Sequence, residues 1–333
     1  MIAGLLAVWA AWGAEPVGTD AVAAWARAHP APGPLPDPVA RYHAIAPALG
    51  ALAAAAAEKP GAVRVEALGP TVRGNPVWAF TVAEPGEPVH DKVLVFAGIH
   101  ALEWISTEAA LQLLADLIAV PPRGTAVTVI PVLNVDGRLR AERDAWRGNV
   151  YRRGNGATPP VDLNRDFAVN REAHGVWARI LPGYHATSPA PLSQPESRAI
   201  AALAARERFD RAASLHAFGG YLYVPWAGRW GRAADYPELL ALGRRMEAAQ
   251  GAHAYRTRQL ARWGFFFRAH GAEIDQLYGE TGTLAYLVEI TRSGFDPAHP
   301  LGSWRTYLRW YNPVRPERHV ERTLAAMRAL IAG

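Results

Sequence analysis

Two apolar segments end in histidine where a buried strand should stop. In the run from Val93 to Leu117 (VLVFAGIHALEWISTEAALQLLADL), a β-rich segment closes at Ala97-Gly98. Helical spacing of Ile105, Ala109, Leu113, Leu114 and Leu117 then begins just after Glu103. His100 and Glu103 sit at the joint. An imidazole at a strand end, with a carboxylate three residues on, closes on one small cation without distorting the backbone. The same pair also fits a turn histidine followed by a first-turn carboxylate that favours the helix N-terminus. Ser214-Leu215-His216 repeats the strand-then-histidine pattern and offers a third ligand. Two imidazoles and one carboxylate suit zinc with an open fourth position for water. Glu289 is a carboxylate within the otherwise apolar run LAYLVEI, Leu284 to Ile290. Such a group is costly to bury unless it is paired, metal-linked or set at a mouth. It fits either the base of a hydrolytic reaction or one half of a salt bridge.

The elements that must position these residues follow from composition and periodicity. The chain has 333 residues, half of them apolar, which is enough for a full core. Its net charge of +5 comes almost wholly from arginine, spread without a basic stripe, so nucleic-acid binding has little support. Cysteine is absent, so a metal must rest on His, Asp and Glu. Residues 1–14 carry an apolar run ending in small residues, the pattern of a signal peptide, which points to an exported, periplasmic or secreted protein; an inserted core helix fits the same run. No other run is long enough to cross a membrane as a helix. Residues 15–38 form an N-terminal helix and a proline-rich connector. From Val39 onward, helices expected over Val39–Ala57, Pro237–Gln250 and Pro316–Ile331 alternate with strands at Val63–Leu68, Val77–Val82, Val127–Leu133, Ala213–Leu215, Tyr221–Pro225 and Leu284–Ile290. This predicts an α/β fold, one domain over 39–333 with a mixed central sheet flanked by helices and the site at strand C-terminal ends. Ser193 to Glu196 has the pattern of a capping box. Asn134 to Phe167 is expected to be mostly irregular and functional. It holds Arg147 and the group Asp162, Asn164 and Arg165, which also fit an ordinary surface arginine and turn chemistry with a salt bridge.

The tags GIHALEW, NVDG, Trp146-Arg147, VDLNRDF, SLH and VEI occur in an order that resembles the zinc metallocarboxypeptidases, the funnelins related to pancreatic carboxypeptidases, over roughly Val39 to Gly333. The resemblance implies one Zn2+ held by His100, Glu103 and His216, with Glu289 as general base. It makes Asp162 the carboxylate behind His100 and Arg147 the group that polarises the scissile carbonyl. Asn164 and Arg165 become the anchor for a terminal carboxylate, so peptide or protein C-termini are the expected substrates. Ile274 falls at the floor of the specificity pocket and favours apolar or aromatic terminal residues, while Phe267 falls where the family closes a tyrosine over substrate, with Phe266 and Phe265 one and two positions away. Leu102 and Phe218 also replace polar family residues. A peptidase for cell-wall or modified peptides, and a silent peptide-binding module on the same fold, are the competing readings.

Overall fold

In the computed structural model, which describes residues 15–37, 39–147, 153–292 and 307–333, the alternation of helix and buried strand becomes one nine-stranded mixed sheet with helices on both faces. The signal-peptide pattern of residues 1–14 lies outside the described residues. In chain order the elements are β1 (Glu15–Val17), α1 (Thr19–Ala28), α2 (Ile45–Ala57), β2 (Val63–Pro70), β3 (Pro76–Val82), β4 (Asp91–Ala97), α3 (Trp104–Ala119), β5 (Thr125–Ile130) and α4 (Val135–Trp146). They continue with α5 (Val176–Ile180), α6 (Pro182–His185), α7 (Pro195–Glu207), β6 (Arg211–Ala217), β7 (Tyr221–Val224), α8 (Tyr236–Ala249), β8 (Arg256–Gln259), α9 (Glu273–Thr281), β9 (Leu284–Ile290), α10 (Tyr307–Tyr311) and α11 (Glu317–Ala332).

The strand order is β1-β2-β3-β5-β4-β6-β9-β7-β8. Its centre, β5-β4-β6-β9, is parallel. Parallel strands are covered on both faces, which explains their nearly unbroken apolar runs. One face packs against α2, α3, α8 and α11 through Leu49, Leu114, Leu239 and Met327. The other packs against α7 and α9 through Ile200, Leu203 and Leu277. The C-terminal ends of β4, β6 and β9 therefore open side by side at one edge of the molecule.

Several expected elements shift. Residues 15–28 join the domain rather than preceding it: β1 pairs with β2, and Val22 of α1 is completely buried. The first helix after the proline-rich stretch begins at Ile45, not Val39, because the Ile45 N–H is taken by Glu142 Oε1 at 2.8 Å and the chain before it is fixed by His43 N–H on Glu108 Oε1 at 2.6 Å. Asn134 to Trp146 is not irregular. Asn134 caps α4 by accepting the Gly137 N–H at 2.9 Å, and its buried face carries Asp136, Arg138 and Glu142. The capping box at Ser193 does not form. Ser193 Oγ instead donates to Asp166, and Gln194 stands at the N-cap of α7.

Candidate metal centre and substrate cleft

β4 stops at Ala97 because Gly98 takes φ +66°, where a side chain would meet Thr107 Oγ1 and Val132 Cα at 3.2 Å. Only glycine makes that turn without strain. The turn carries His100 into the open end of the sheet and leaves Glu103 at the N-cap of α3. Asn312 clamps it from the other side, donating through Nδ2 to Leu102 O at 2.7 Å and accepting the Ile105 N–H at 3.0 Å. β6 runs parallel beside β4 with Leu215 opposite Ala97, so His216 arrives level with the turn.

The two imidazoles stand 4.9 Å apart, centroid to centroid. Glu103 lies between them, Oε1 2.8 Å from His100 Nδ1 and Oε2 3.1 Å from His216 Nδ1. Its Oε2 also accepts the Ala217 N–H at 3.0 Å. The outer nitrogens face oxygen as well: His100 Nε2 is 3.0 Å from Asp162 Oδ1, and His216 Nε2 is 2.9 Å from both Glu273 Oε1 and Ser214 Oγ. All three inner residues are buried. Their ligand atoms lie within 4.8 Å of one another. With protons on the outer nitrogens, donated to the two carboxylates, the inner nitrogens offer lone pairs towards carboxylate oxygens, an arrangement that calls for a cation. The donor set fits a zinc-type ion. Electrostatics agree: burial pulls His216 down, but Glu103 and Glu273 hold its pKa up at about 10. Burial also opposes the Glu103 charge, yet the two histidines keep that carboxyl well below its ordinary range.

Register places Glu289 of β9 opposite His216 of β6. Gly219 and Gly220 wrap it, and a Cβ at Gly219 would meet Glu289 Cβ at 3.1 Å. Glu289 Oε2 is buried and has no hydrogen-bond partner among the described residues. Burial and the Glu103 charge push its pKa up to about 8.

Asp162 opens a short turn, accepting the Asn164 N–H at 3.0 Å on the oxygen that faces His100. Its other oxygen takes Arg153 Nε at 2.8 Å, and Arg153 Nη1 lies 3.8 Å from Glu103 Oε1. Burial penalises the Asp162 charge, but Arg153 and His100 hold its carboxyl well below the usual range. Arg147, expected at the carbonyl, is instead exposed at the C-cap of α4. The arginine brought to the cluster is Arg153, six residues on. Its only sequence signal was the arginine pair Arg152-Arg153, just before Gly154-Asn155.

Beside Asp162 opens a cleft of about 880 Å³ lined by Arg153, Arg165, Ser188, Gln194 and Phe267. Arg165 folds its Nη1 onto Asn164 O at 2.5 Å, and Asn164 Oδ1 accepts the Glu273 N–H at 3.2 Å. Burial pulls the Arg165 guanidinium below its ordinary pKa, a cost that an incoming anion would relieve. Ile274 does not reach this cleft. It is completely buried in α9 among Leu163, Ala272 and Leu277, because its neighbours Glu273 and Asp275 take the polar contacts of that turn. Leu102 is buried, and Phe218 packs edge-on against Tyr311 at 5.2 Å. Phe265 is exposed and stacks edge-on with Trp177 at 5.1 Å, and Phe266 lies between Phe265 and Trp263.

A family model described as zinc carboxypeptidase matches residues 49–303. Among curated proteins, mouse carboxypeptidase A6 is 24% identical over 250 residues, covering 71% of this chain and 57% of the relative. Mouse carboxypeptidase A2 is 23% identical over 253 residues, covering 72% and 60%. The chain thus spans about three-fifths of the length of these relatives. Among solved structures, bovine thrombin-activatable fibrinolysis inhibitor, bound to a tick carboxypeptidase inhibitor, superposes with a TM-score of 0.72 at 19% identity, covering 87% of this chain and 96% of that one. Carboxypeptidase A from Helicoverpa armigera superposes at 0.68 with 19% identity, covering 95% and 80%. At such identities the likeness is one of fold.

Proposed function

Since the chain belongs to the zinc carboxypeptidase family, we propose that it is a metal-dependent exopeptidase that hydrolyses the C-terminal peptide bond of peptides or proteins. The observation that carries this reading is the joint placement of His100, Glu103 and His216 with Glu289 one strand away, beside a cleft that holds Arg165. His100, Glu103 and His216 would hold the ion. When bound, zinc supplies Lewis acidity towards a carbonyl and lowers the pKa of a coordinated water.

The remaining work falls to side chains. Arg165, with Asn164 behind it, binds the terminal carboxylate as a fork, and this makes the enzyme an exopeptidase. Arg153 donates to the scissile carbonyl oxygen as negative charge develops there. It takes the part first expected of Arg147. Glu289 Oε2, lacking a partner of its own, accepts a proton from water and passes it to the leaving amine. A cation held by the adjoining ligands lowers the raised Glu289 pKa towards neutrality, where a base is effective. Asp162 fixes the ring of His100. Phe267 gives the cleft an apolar wall, which supports a preference for aliphatic or aromatic terminal residues.

The test is hydrolysis of N-blocked dipeptides ending in Phe, Leu, Lys, Arg or Glu, with a chelator, with zinc restored, and with Glu289→Gln as the blank. Chelator-sensitive release of Phe or Leu, absent in the blank, is expected. Zinc-loaded protein that turns over none of them, yet retains a labelled peptide, would identify a silent peptide-binding module instead.

A further inference from the structure

Two carboxylates stand behind the two histidines, and only one of them was expected. Asp162 faces His100 Nε2 at 3.0 Å, and Glu273 faces His216 Nε2 at 2.9 Å. Glu273 is completely buried at the first turn of α9, and its second oxygen has no hydrogen-bond partner among the described residues. A buried carboxylate with an idle oxygen is a poor way to stabilise a fold. Its placement makes sense as a service to the imidazole. A carboxylate that accepts the outer N–H fixes the tautomer with the lone pair inward, holds the ring plane and raises the basicity of the inner nitrogen. The Glu273 backbone N–H meanwhile holds Asn164 Oδ1, two residues from Asp162. One residue therefore braces both the ligand on β6 and the turn that carries the carboxylate anchor.

We propose that Glu273 is a positioning residue that orients His216 for the metal, as the counterpart of Asp162 behind His100. The inference rests on the zinc carboxypeptidase reading. It assigns the residue before Ile274 to the metal side of the site rather than to the specificity pocket.

The experiment compares Glu273→Leu and Glu273→Gln with the wild-type full chain in three measurements: thermal unfolding of the metal-free form, zinc affinity by competition with a chelator, and KM of the zinc-loaded protein for the best dipeptide. Leu fills the volume and removes an under-paired charge, so the metal-free midpoint should stay level or rise while zinc affinity falls about 10- to 100-fold. Opposite movements of that kind do not come from a merely structural residue, whose loss lowers both. Gln keeps an oxygen for the Nε2 proton and should bind zinc with an affinity between those of wild type and Leu. KM should hold, because every substitution retains the backbone N–H on Asn164. A Leu variant that folds and binds zinc as tightly as wild type overturns the assignment; if Leu prevents folding, a Gln variant with the wild-type zinc affinity does the same. A wild-type chain that takes up no stoichiometric zinc sinks the proposed function and this inference together, whereas the variant results sink this one alone.

Discussion

Arg153 reaches Asp162 through Nε at 2.8 Å and lies 3.8 Å from Glu103, whereas Arg147 ends α4 in solvent. Burial works against the Arg153 charge, but Asp162 and Glu103 hold its pKa above the ordinary value. It stays a cation at any working pH. A fixed donor at a developing oxyanion is worth roughly 10²- to 10³-fold in kcat, so Arg153→Ala should cut kcat/KM by about that factor. Arg147→Ala should leave kcat/KM within about twofold of wild type, as an exposed surface change does. Steady-state kinetics on one dipeptide decide between them, and the reverse ranking would return the role to Arg147. The tag Trp146-Arg147 points to one guanidinium, and the folded chain sets another, Arg153, beside Asp162. Helix α4 runs through Trp146 with Arg147 at its exposed C-cap. Spacing along the sequence does not say which of the two reaches the site. The donor residues were readable because each is tied to a strand end, where one residue fixes position and direction together.

Strand ends explain what was legible among the elements, and inward-facing polar groups explain what was not. The parallel strands announced themselves by unbroken apolar runs, and with them came the α/β class and the edge at which the site lies. Helix α4 was hidden because its buried face is polar: Asp136 takes Thr71 Oγ1 at 2.7 Å and Asn75 Nδ2 at 2.8 Å, and Arg138 pairs with Glu142 at 2.8 Å. Strand β8, RTRQ, carries no apolar alternation at all. Helix α9 was missed for the same cause, since its first turn, Glu273-Ile274-Asp275, is entirely buried with both acids facing inward. Asp275 accepts the Ala227 N–H at 2.7 Å, the Gly228 N–H at 2.9 Å and Asn170 Nδ2 at 2.7 Å, tying α9 to the chain after β7. Burial outweighs these donors and pushes its pKa up to about 6. The folded chain therefore holds this proton more tightly than the unfolded chain, whose carboxyl titrates near ~3.9. Stability from this group is full below the unfolded value and is lost as pH rises through about 6. Asp275→Asn turns an amide NH2 towards backbone N–H donors, at a cost of about 1–3 kcal/mol. In denaturant titrations the variant should trail the wild type most at pH 4, and the gap should narrow by pH 7. A gap that widens with pH would mean that the donors win and the buried carboxylate is ionised.

At the scale of the whole molecule, the parallel centre of the sheet brings Glu103, Glu273 and Glu289 to one end with Asp162 closing the side. Two of these four acids, Glu103 and Glu273, are buried, and repulsion from Glu103 is part of what raises Glu289. The helices on both faces hold the strands in register, and His100, His216 and Arg153 face these carboxylates within the cluster. A dication bound by the native cluster, and not by the unfolded chain, stabilises the fold by mass action, about 4 kcal/mol at a free concentration 1,000 times Kd. For a chain of 333 residues each kcal/mol shifts Tm by somewhat less than the ~2 °C of a 250-residue domain, so zinc should raise the unfolding midpoint on the order of 5 °C. Differential scanning calorimetry with chelator, then with zinc restored, reads this directly. The increment should depend on zinc concentration, as linkage requires, and should vanish in His216→Ala, which removes a ligand but leaves the sheet intact. Zinc that raises the wild type and His216→Ala alike acts on a surface site, and a wild-type midpoint indifferent to zinc would mean that the cluster is closed by its own hydrogen bonds and takes no ion. The calorimetric increment needs no substrate, so it separates possession of a metal centre from possession of the peptidase chemistry built around it.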